Sequence, residues 1–410
     1  MPDAAGLGAS AGAPAAASRW GGPTAEVFLA FLRLGLTSFG GPVAHLGYFR
    51  AEFVARRRWL DETTYADLVA LCQFLPGPSS SQVGIALGLG RAGFAGAFAA
   101  WCGFTLPSAI ALVLFAYGVG LMGDVAHAPW LHGLKIVAVA VVAQAIWSMA
   151  AALCFDRQRR TLAIVAAIGA LLIPSAPGQI GVVVLGGIIG WLFLRGPVAT
   201  VAGSLGGMVD RRLAVGSLAL FAVLLIGLPL LGATTGSHAV DLAARFYRSG
   251  SLVFGGGHVV LPVLQKEVVP PGFIGNDAFV AGYGAAQAIP GPLFTFAAYL
   301  GAQMRLPPNG WIGAVLCLIA IYLPSFLLVV GVLPYWDDLR KRTNVRSAMA
   351  GVNAAVVGLL LAALYTPVWT SAIQAPPDAA IALAAFALLL FWQWPPWLVV
   401  ILGSLVATVV

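Results

Sequence analysis

The sequence predicts an all-α polytopic membrane protein made of two inverted-topology repeats that contain broken or re-entrant helices. Three observations predict this class: an apolar composition, apolar runs of membrane-spanning length, and a set of motifs that occurs twice. Of the 410 residues, 60% are hydrophobic and 9% are charged, whereas soluble domains contain roughly 45–50% apolar and about 25% charged residues. A water-soluble fold is not expected, because so few charged residues cannot cover its surface.

Nine apolar stretches are predicted to be helices that cross the membrane. Five are long enough to span about 30 Å of hydrocarbon, and four are shorter and resemble closely spaced helical hairpins. The long stretches are Phe94–Met122, Leu134–Cys154, Leu213–Leu231, Trp311–Leu333 and Ala348–Tyr365. The shorter stretches are Leu162–Ile173, Ile180–Leu194, Ala379–Trp392 and Trp397–Val410.

Four further segments have their apolar character interrupted by glycine or proline in mid-run. They are Val27–Phe49, Tyr65–Leu89, Leu242–Gln265 and Ala278–Met304. Broken backbone at membrane depth is tolerated where protein or a water-filled cavity satisfies the freed N–H and C=O groups. These segments are therefore predicted to be broken, re-entrant helices beside a transport pathway.

The breaks recur because the chain repeats itself. Phe31–Gly41 aligns with Phe246–Gly256, and Gln73–Pro78 aligns with Gln287–Pro292. Leu-Pro-Ser occurs in both halves, ending at Ser108 and Ser325. Collinear motifs at a nearly constant offset indicate duplication. The predicted divisions are a disordered tail (1–25), a first transmembrane repeat (26–195), a connecting loop and linker helix (196–241), and a second repeat (242–410).

Basic residues alternate between the halves in a way that predicts inversion. Arginines cluster in the loop 50–58, whereas the matching second-half loop has Lys266 beside Glu267. The next pair of loops shows the opposite bias, since Gly123–His132 has no Lys or Arg and its counterpart at 340–346 has four. Because positive loops stay in the cytoplasm, the halves are expected to have opposite orientations in a cell inner membrane. The net charge of +7 is thus attributed to basic residues in cytoplasmic loops. The expected partner is a lipid bilayer and not nucleic acid.

Inverted repeats with broken helices place a substrate site near the bilayer midplane. In each Pro-Gly-Pro turn the first proline ends a helix and the second can begin another. The new helix N-terminus offers unsatisfied N–H groups and partial positive charge to an anion. Ser79, Ser80 and Ser81 add hydroxyl donors, whereas the second half has Leu293, Phe294 and Thr295. The first turn is therefore expected to be the principal anion site.

Two arginines and several glycines complete the predicted substrate site. Arg33 and Arg248 lie within apolar runs, where an ionised side chain is costly and usually functional, and a guanidinium can pair with two oxygens of a tetrahedral dianion. Snorkelling from a helix end would explain the same arginines without substrate contact. The glycines that would let backbone approach the anion, or simply let helices pack, are Gly40, Gly41, Gly77, Gly255, Gly256 and Gly291.

A last group of polar residues is predicted to couple protons to transport or to orient the turns. It consists of His45, Glu52, Asp67, Gln73, His258 and Gln287. Structural hydrogen bonding and loop solvation are the alternative roles for these residues. The sequence has no Ser-His-Asp arrangement, metal-ligand cluster or phosphate-binding loop. No enzyme activity, metal or cofactor is expected.

At these motifs the chain resembles the chromate ion transporter family in its long, two-domain form. The resemblance rests on Phe39–Pro42 and the Arg-rich segment 56–60, on Gln73–Ser79, and on the second-half segments 254–258 and 288–292. It implies a multi-pass carrier that exports chromate, confers chromate resistance and uses the proton-motive force, so protons are the expected coupling ion of an antiporter. Transport of sulfate or another oxyanion, an anion channel, and assembly as a homodimer remain open.

Overall fold

The computed structural model describes residues 22–39, 41–121, 129–194, 208–253, 259–339 and 341–408. Within these ranges every regular element is a helix, as predicted for an all-α polytopic membrane protein. Most of the predicted tail (1–25), part of the linker (196–241) and the second-half glycine motif fall outside the described residues. Four predicted site residues also lie outside them: Gly40, Gly255, Gly256 and His258.

In the described part of the first half there are seven α-helices, and an eighth leads to the second half. Asp61, Asp156 and Ser175 begin α3, α6 and α7 by accepting hydrogen bonds from first-turn N–H groups, which the helix itself leaves unsatisfied. The helices are α1 (Thr24–Thr37), α2 (Gly41–Phe49, continued by the π-helix Arg50–Arg56), α3 (Glu62–Phe74), α4 (Ser79–Leu121), α5 (Pro129–Leu153), α6 (Arg157–Leu172), α7 (Ala176–Phe193) and α8 (Arg211–Thr235).

The second half repeats the broken pattern of the first and ends in two short apolar helices. Its helices are α9 (His238–Leu252), α10 (Val260–Val268), α11 (Asn276–Ala288), the 3-10 turn Leu293–Thr295, α12 (Phe296–Ala302), α13 (Gly310–Val332), the 3-10 turn Leu333–Tyr335, α14 (Trp336–Leu339), α15 (Thr343–Ala363), the π-helix Leu364–Trp369, α16 (Thr370–Ala372), α17 (Pro376–Leu390) and α18 (Pro396–Val406).

All nine predicted apolar stretches coincide with helices. Among the described residues, five helical segments are long and apolar enough to cross a membrane: Ser79–Val119, Trp130–Leu153, Arg211–Thr235, Gly310–Leu339 and Thr343–Ala372. The outer surface is apolar as well, and on α8 the side chains of Val223, Ile226 and Leu230 are each more than 60% exposed. An exposed surface of apolar side chains is suited to contact with lipid.

Helix α4 reverses direction within its length. Ala92 and Gly93 have non-helical backbone angles, and a Cβ built on Gly88 would collide with the Gly96 backbone. We call residues 79–91 α4a and residues 94–121 α4b. Gly301 and Gly313 make the same close contact between α12 and α13. The chain thus turns back after each Pro-Gly-Pro segment, where the short helices α4a and α12 are each followed by a helix of full crossing length, α4b and α13.

The first helix of each half packs on the long helix of that half through a glycine. A Cβ on Gly35 of α1 would lie 2.6 Å from the Gly103 carbonyl oxygen of α4b, and a Cβ on Gly250 of α9 would meet the Ile321 carbonyl of α13. Close helix approach of this kind requires the absence of a side chain. The duplicated sequence therefore produces a duplicated packing.

The two long helices, α4b and α13, run antiparallel to each other. The rings of Tyr117 and Trp311 lie 6.3 Å apart, and those of Trp101 and Phe326 lie 6.0 Å apart. Residue numbers therefore fall along α4b as they rise along α13. Since these helices hold equivalent positions in the two repeats, their antiparallel packing supports the prediction of inverted topology.

Cysteine labelling tests which side of the membrane each loop faces. We expect Ala55→Cys to react only with a reagent on the cytoplasmic side and Pro271→Cys only with one on the outer side, because both residues are exposed and lie in connecting segments of opposite charge bias. The background is a chain in which the four native cysteines are replaced; three of these are buried. Labelling of both positions from one side would contradict the inversion.

Candidate functional site

The two Pro-Gly-Pro turns interrupt helices in the way that the sequence predicts. Helix α3 ends at Phe74 and α4 begins at Ser79, while α11 ends at Ala288 and the next helical turn begins at Leu293. Gly77 and Gly291 have φ angles of +122° and +109°. Residues with a Cβ avoid this part of conformational space. Each turn therefore requires its glycine for the backbone conformation, whether or not the glycine also contacts substrate.

Each turn is bonded to the opposite repeat. The Gly77 N–H donates to the carbonyl oxygen of Val253 at 2.6 Å, and the Gly291 N–H donates to that of Ser38 at 3.0 Å. Ser38 and Val253 follow the last residues of α1 and α9, at equivalent places in the duplicated motif. The glycine N–H groups are thus committed to holding the repeats together. An anion at these turns would be bound by the N–H groups that follow them.

The repeated Leu-Pro-Ser motif supplies the other half of this cross-repeat contact. The Ser325 hydroxyl oxygen lies 2.6 Å from the position that a Cβ on Gly77 would take, and the Ser108 hydroxyl oxygen lies 2.7 Å from that of Gly291. In the described part of the chain the Ser325 hydroxyl has no hydrogen-bond partner. The centre of the molecule is therefore a two-fold arrangement in which each turn rests against a serine of the other repeat.

A cavity of about 320 Å³ lies on the first turn. The predicted residues Gln73, Gly77 and Ser79 line it, together with Ser148 of α5 and Asn353 of α15. No lysine, arginine or histidine is among its described lining residues. Its polar groups are hydroxyls, amides and the N-terminus of α4a, so an anion in this cavity would be held by dipoles.

The second turn has a smaller counterpart. A cavity of about 40 Å³ is lined by Gly41, Gln287 and Gly291, with Gln144 of α5. The same helix α5 thus borders both cavities, through Gln144 and, one turn later, Ser148. The structure brings six predicted residues into two related groups, one on each turn, and the first-turn cavity is the larger.

The three serines of the first turn diverge. Ser79 faces the larger cavity, whereas the Ser80 hydroxyl lies 3.4 Å from Nδ1 of the buried His45. Ser81 lies beside the hydroxyl of the buried Tyr322. The structure therefore gives each serine a different neighbour, and the cavity lining includes Ser79 alone of the three.

Thr295, at the matching position of the second turn, donates its hydroxyl to the carbonyl oxygen of Pro292 at 2.7 Å. Its hydroxyl hydrogen is therefore used within the turn itself. Thr295 remains a predicted substrate ligand for which the geometry supplies a local structural role.

The two repeated arginines have different surroundings. Arg33 lies on an exposed face of α1 with Leu29 and Leu36. Arg248 forms a two-pronged ion pair with Glu267, from Nε to Oε1 at 2.9 Å and from Nη2 to Oε2 at 2.6 Å. Neither arginine is among the described lining residues of the two turn cavities, so their contact with substrate at the turns stays a prediction.

The predicted carboxylates are held in different ways. Glu52 accepts from Arg57 at 2.6 Å and from Arg56 at 2.9 Å. Burial raises the pKa of Glu52, but the hydrogen bonds from Arg57 and Arg56 outweigh it, so the pKa lies below the ordinary value of a glutamate. Asp67 is buried on α3 and lies outside the described lining of both turn cavities. Proton coupling through Glu52 or Asp67 stays a prediction.

Several polar residues of the site were not predicted from the sequence. Asn353 and Ser148 line the larger cavity, and the buried Gln82 donates its amide to the carbonyl oxygen of Pro76 at 2.6 Å. A signal was present, because Gln144 and Ser148 stand four residues apart within the apolar run of α5 and so share one helix face. The duplicated Leu-Pro-Ser motif was a second signal.

Comparison with known proteins gives a consistent result over most of the chain. The sequence model of a family described as chromate transporter matches residues 25–191 and 240–408. The chromate transport protein of Pseudomonas aeruginosa is 26% identical over 349 residues, which cover 82% of this chain and 79% of that protein. The chromate transport protein of Cupriavidus metallidurans is 25% identical over 89% of this chain and 87% of its own length.

A third relative is named only as a transporter. The uncharacterized transporter MJ0718 of Methanocaldococcus jannaschii is 27% identical over 82% of both chains. No solved structure matches the chain significantly. The two segments matched by the family model correspond to the two halves that carry the Pro-Gly-Pro turns.

Proposed function

Since this chain belongs to the chromate transporter family, we propose that it carries chromate across the cell inner membrane through the cavity on the first Pro-Gly-Pro turn. The observation that supports this site most directly is the cavity of about 320 Å³ that Gly77, Ser79 and Asn353 line. It adjoins the N-terminus of α4a, where N–H groups without intrahelical partners attract anions.

Binding in this cavity uses uncharged donors. The first-turn N–H groups of α4a and the Ser79 hydroxyl face one side of the anion, and the amides of Gln73 and Asn353 face the others. Donors without net charge bind a dianion less tightly than a guanidinium fork does. Weaker binding suits a carrier, which must release its substrate on the far side.

The direction of transport is part of the proposal. The larger cavity is bordered by Met149, Ala152 and Leu153 at the end of α5, which precedes the arginine-rich first turn of α6, residues 157–160. That turn belongs in the cytoplasm by the positive-inside rule. We therefore assign this conformation to a cytoplasm-facing state that loads chromate for export, with the inward movement of protons as the driving force.

Uptake into everted membrane vesicles tests the function. Labelled chromate should accumulate above its external concentration when a proton-motive force is imposed, and a protonophore should abolish this accumulation. Labelled sulfate is measured in parallel, because it is also a tetrahedral dianion and the neutral donors could accept it. Accumulation of sulfate alone would make the chain a sulfate carrier, and equilibration without accumulation would make it a channel.

The Ser79→Ala variant tests whether the cavity on the first turn binds the transported chromate. Loss of one hydrogen bond to a charged group costs about 1.5–3 kcal/mol, so the half-saturating chromate concentration should rise roughly ten-fold or more. Ser251→Ala is the matched control, because that buried hydroxyl donates to the Tyr247 carbonyl within its own helix. Equal saturation behaviour of Ser79→Ala and wild type would remove Ser79 from the site.

A further inference from the structure

A second polar cavity, of about 440 Å³, lies where α8 meets α9, away from both turns. Its walls include Arg245 and Arg248 together with Ser237, His238 and Asp241. It is therefore lined by two guanidinium groups, in contrast to the larger turn cavity. A cavity with two arginines and one carboxylate in its wall has the composition of an anion site.

The two arginines share one buried carboxylate that is not part of the cavity lining. Arg248 binds Glu267 with both prongs of its guanidinium at 2.9 and 2.6 Å. Arg245 donates from Nη1 to Glu267 Oε2 at 3.3 Å and from Nε to Asp241 at 2.9 Å. The Glu267 side chain is 3% exposed. Glu267 thus presents two oxygens to the arginines as a tetrahedral oxyanion would.

Glu267 also lines a different cavity on its other side. That cavity, of about 440 Å³, is apolar and lies between α7, α10 and α15, with Gln179 and Val352 in its wall. The ion pair between Arg248 and Glu267 is therefore the partition between a polar cavity and an apolar one. Separating the pair would open the partition and free the guanidinium groups.

The equivalent position in the first half provides the comparison. Glu52 matches Glu267 in the duplicated sequence and is also held by two arginines, Arg56 and Arg57. None of these three residues lines a described cavity. In the second repeat, by contrast, the arginines that hold the duplicated carboxylate, Arg245 and Arg248, line the polar cavity.

We propose that Arg245 and Arg248 form a second oxyanion-binding site, in which the Glu267 carboxylate occupies the place of the anion when the site is empty. A transported oxyanion displaces Glu267 from the arginines as it passes through the polar cavity. This inference rests on the proposed function, because it takes the substrate to be a tetrahedral oxyanion. In this inference the Glu267 carboxylate competes with the oxyanion for binding to Arg245 and Arg248.

Replacing Glu267 by glutamine tests the competition. The amide keeps the shape but lacks the charge, so the arginines should bind an added anion more tightly. Equilibrium dialysis of the purified full chain in lipid nanodiscs, with labelled chromate and labelled sulfate as probes, should show roughly ten-fold tighter binding at this site, the size of one lost charge-assisted interaction. Adding Arg248→Lys to this variant should reverse the gain, because lysine lacks the planar fork.

Glu26→Gln is the matched control, because Glu26 also pairs with two arginines, Arg57 and Arg91, and lies outside the described cavity linings; it should leave anion affinity unchanged. Glu267→Asp, which keeps the charge on a shorter side chain, should give an intermediate gain. Unchanged affinity in Glu267→Gln, or an equal gain in Glu26→Gln, would overturn the assignment. Transport by the wild-type chain is measured in parallel, so that a wild type without oxyanion transport refutes the proposed function, and active wild type with unchanged Glu267→Gln refutes only this inference.

Protection from alkylation provides a test that leaves Glu267 and both arginines intact. Ser237 lines the polar cavity, whereas Thr234, on the preceding turn, is exposed and lies outside the described lining. Chromate should slow the reaction of a maleimide with Ser237→Cys and should leave Thr234→Cys unaffected, in chains without other cysteines. Equal rates with and without chromate at Ser237→Cys would show that the cavity does not take the anion.

Discussion

Valine in place of Gly77 is expected to abolish oxyanion transport while the protein still inserts into the membrane. Gly77 has a φ of +122°, and a Cβ there would lie 2.6 Å from both the Gln82 amide nitrogen and the Ser325 hydroxyl. A branched side chain is strongly disfavoured at such a φ and would push the first turn away from the second repeat. The bond from the Gly77 N–H to Val253 would then be lost, along with the position of the α4a N-terminus. Initial uptake of labelled chromate by vesicles, normalised to protein abundance, measures the effect.

Valine substitutions at two other glycines serve as comparisons for Gly77→Val. Gly291→Val should also lose transport, because Gly291 has a φ of +109° and a Cβ there would contact Ser108. Gly47→Val should retain transport, since nothing lies within 4 Å of a Cβ at this helical position. Partial recovery in Gly77→Ala combined with Ser325→Gly would identify the serine contact as one cause. Normal uptake by Gly77→Val would show that the turn does not control the transport site.

Helices and their interruptions could be predicted from the sequence because both are local properties. The run Leu134–Cys154 corresponds to α5, and the proline pair at 76 and 78 separates α3 from α4. Apolar length and the geometry of proline decide such features without reference to distant residues. Charge bias in the loops indicated the inversion, which the antiparallel contact of α4b with α13 supports.

The pairing of distant residues could not be predicted in the same way. The bond from Gly291 to Ser38 joins residues of different repeats, and local pattern contains no signal for it. Duplication alone suggests that Arg33 and Arg248 have equivalent roles, yet Arg33 lies on an exposed helix face and Arg248 binds Glu267. The duplicated backbones keep their packing glycines, whereas the side chains at matching positions have different neighbours.

The contacts of the two Pro-Gly-Pro turns also limit how the repeats can move. Each turn is fixed to the other repeat by one backbone hydrogen bond and one serine contact, so neither half can shift without changing both turns. The cavities beside the turns differ in size, about 320 Å³ against 40 Å³. A rocking motion that enlarges one cavity and reduces the other would use the two-fold arrangement for alternating access.

Filling the larger cavity is the second change with a large expected effect. Ala152 is exposed on α5 and lines this cavity near its predicted cytoplasmic opening. The indole of Ala152→Trp would occupy much of the volume of about 320 Å³ that chromate must cross to reach Ser79. Because the position is exposed, the substitution should cost little stability. Chromate uptake by everted vesicles should therefore fall to background, while membrane abundance and thermal stability remain near those of the wild type.

The neighbouring residue provides the control for this variant. Ala151 is also exposed on α5 but is not among the described lining residues of the cavity, so Ala151→Trp adds the same side chain to an adjacent face of the same helix. The Ala151→Trp variant should transport at nearly the wild-type rate.

Equal inhibition by both tryptophans would indicate a general disturbance of α5. Normal transport by Ala152→Trp would mean that the substrate takes another route, and the cavity on the first turn would then lose its assigned role. Loss at Ala152 with activity at Ala151 is the result that places the substrate path beside Ser79, because the two variants differ only in which face of α5 carries the indole.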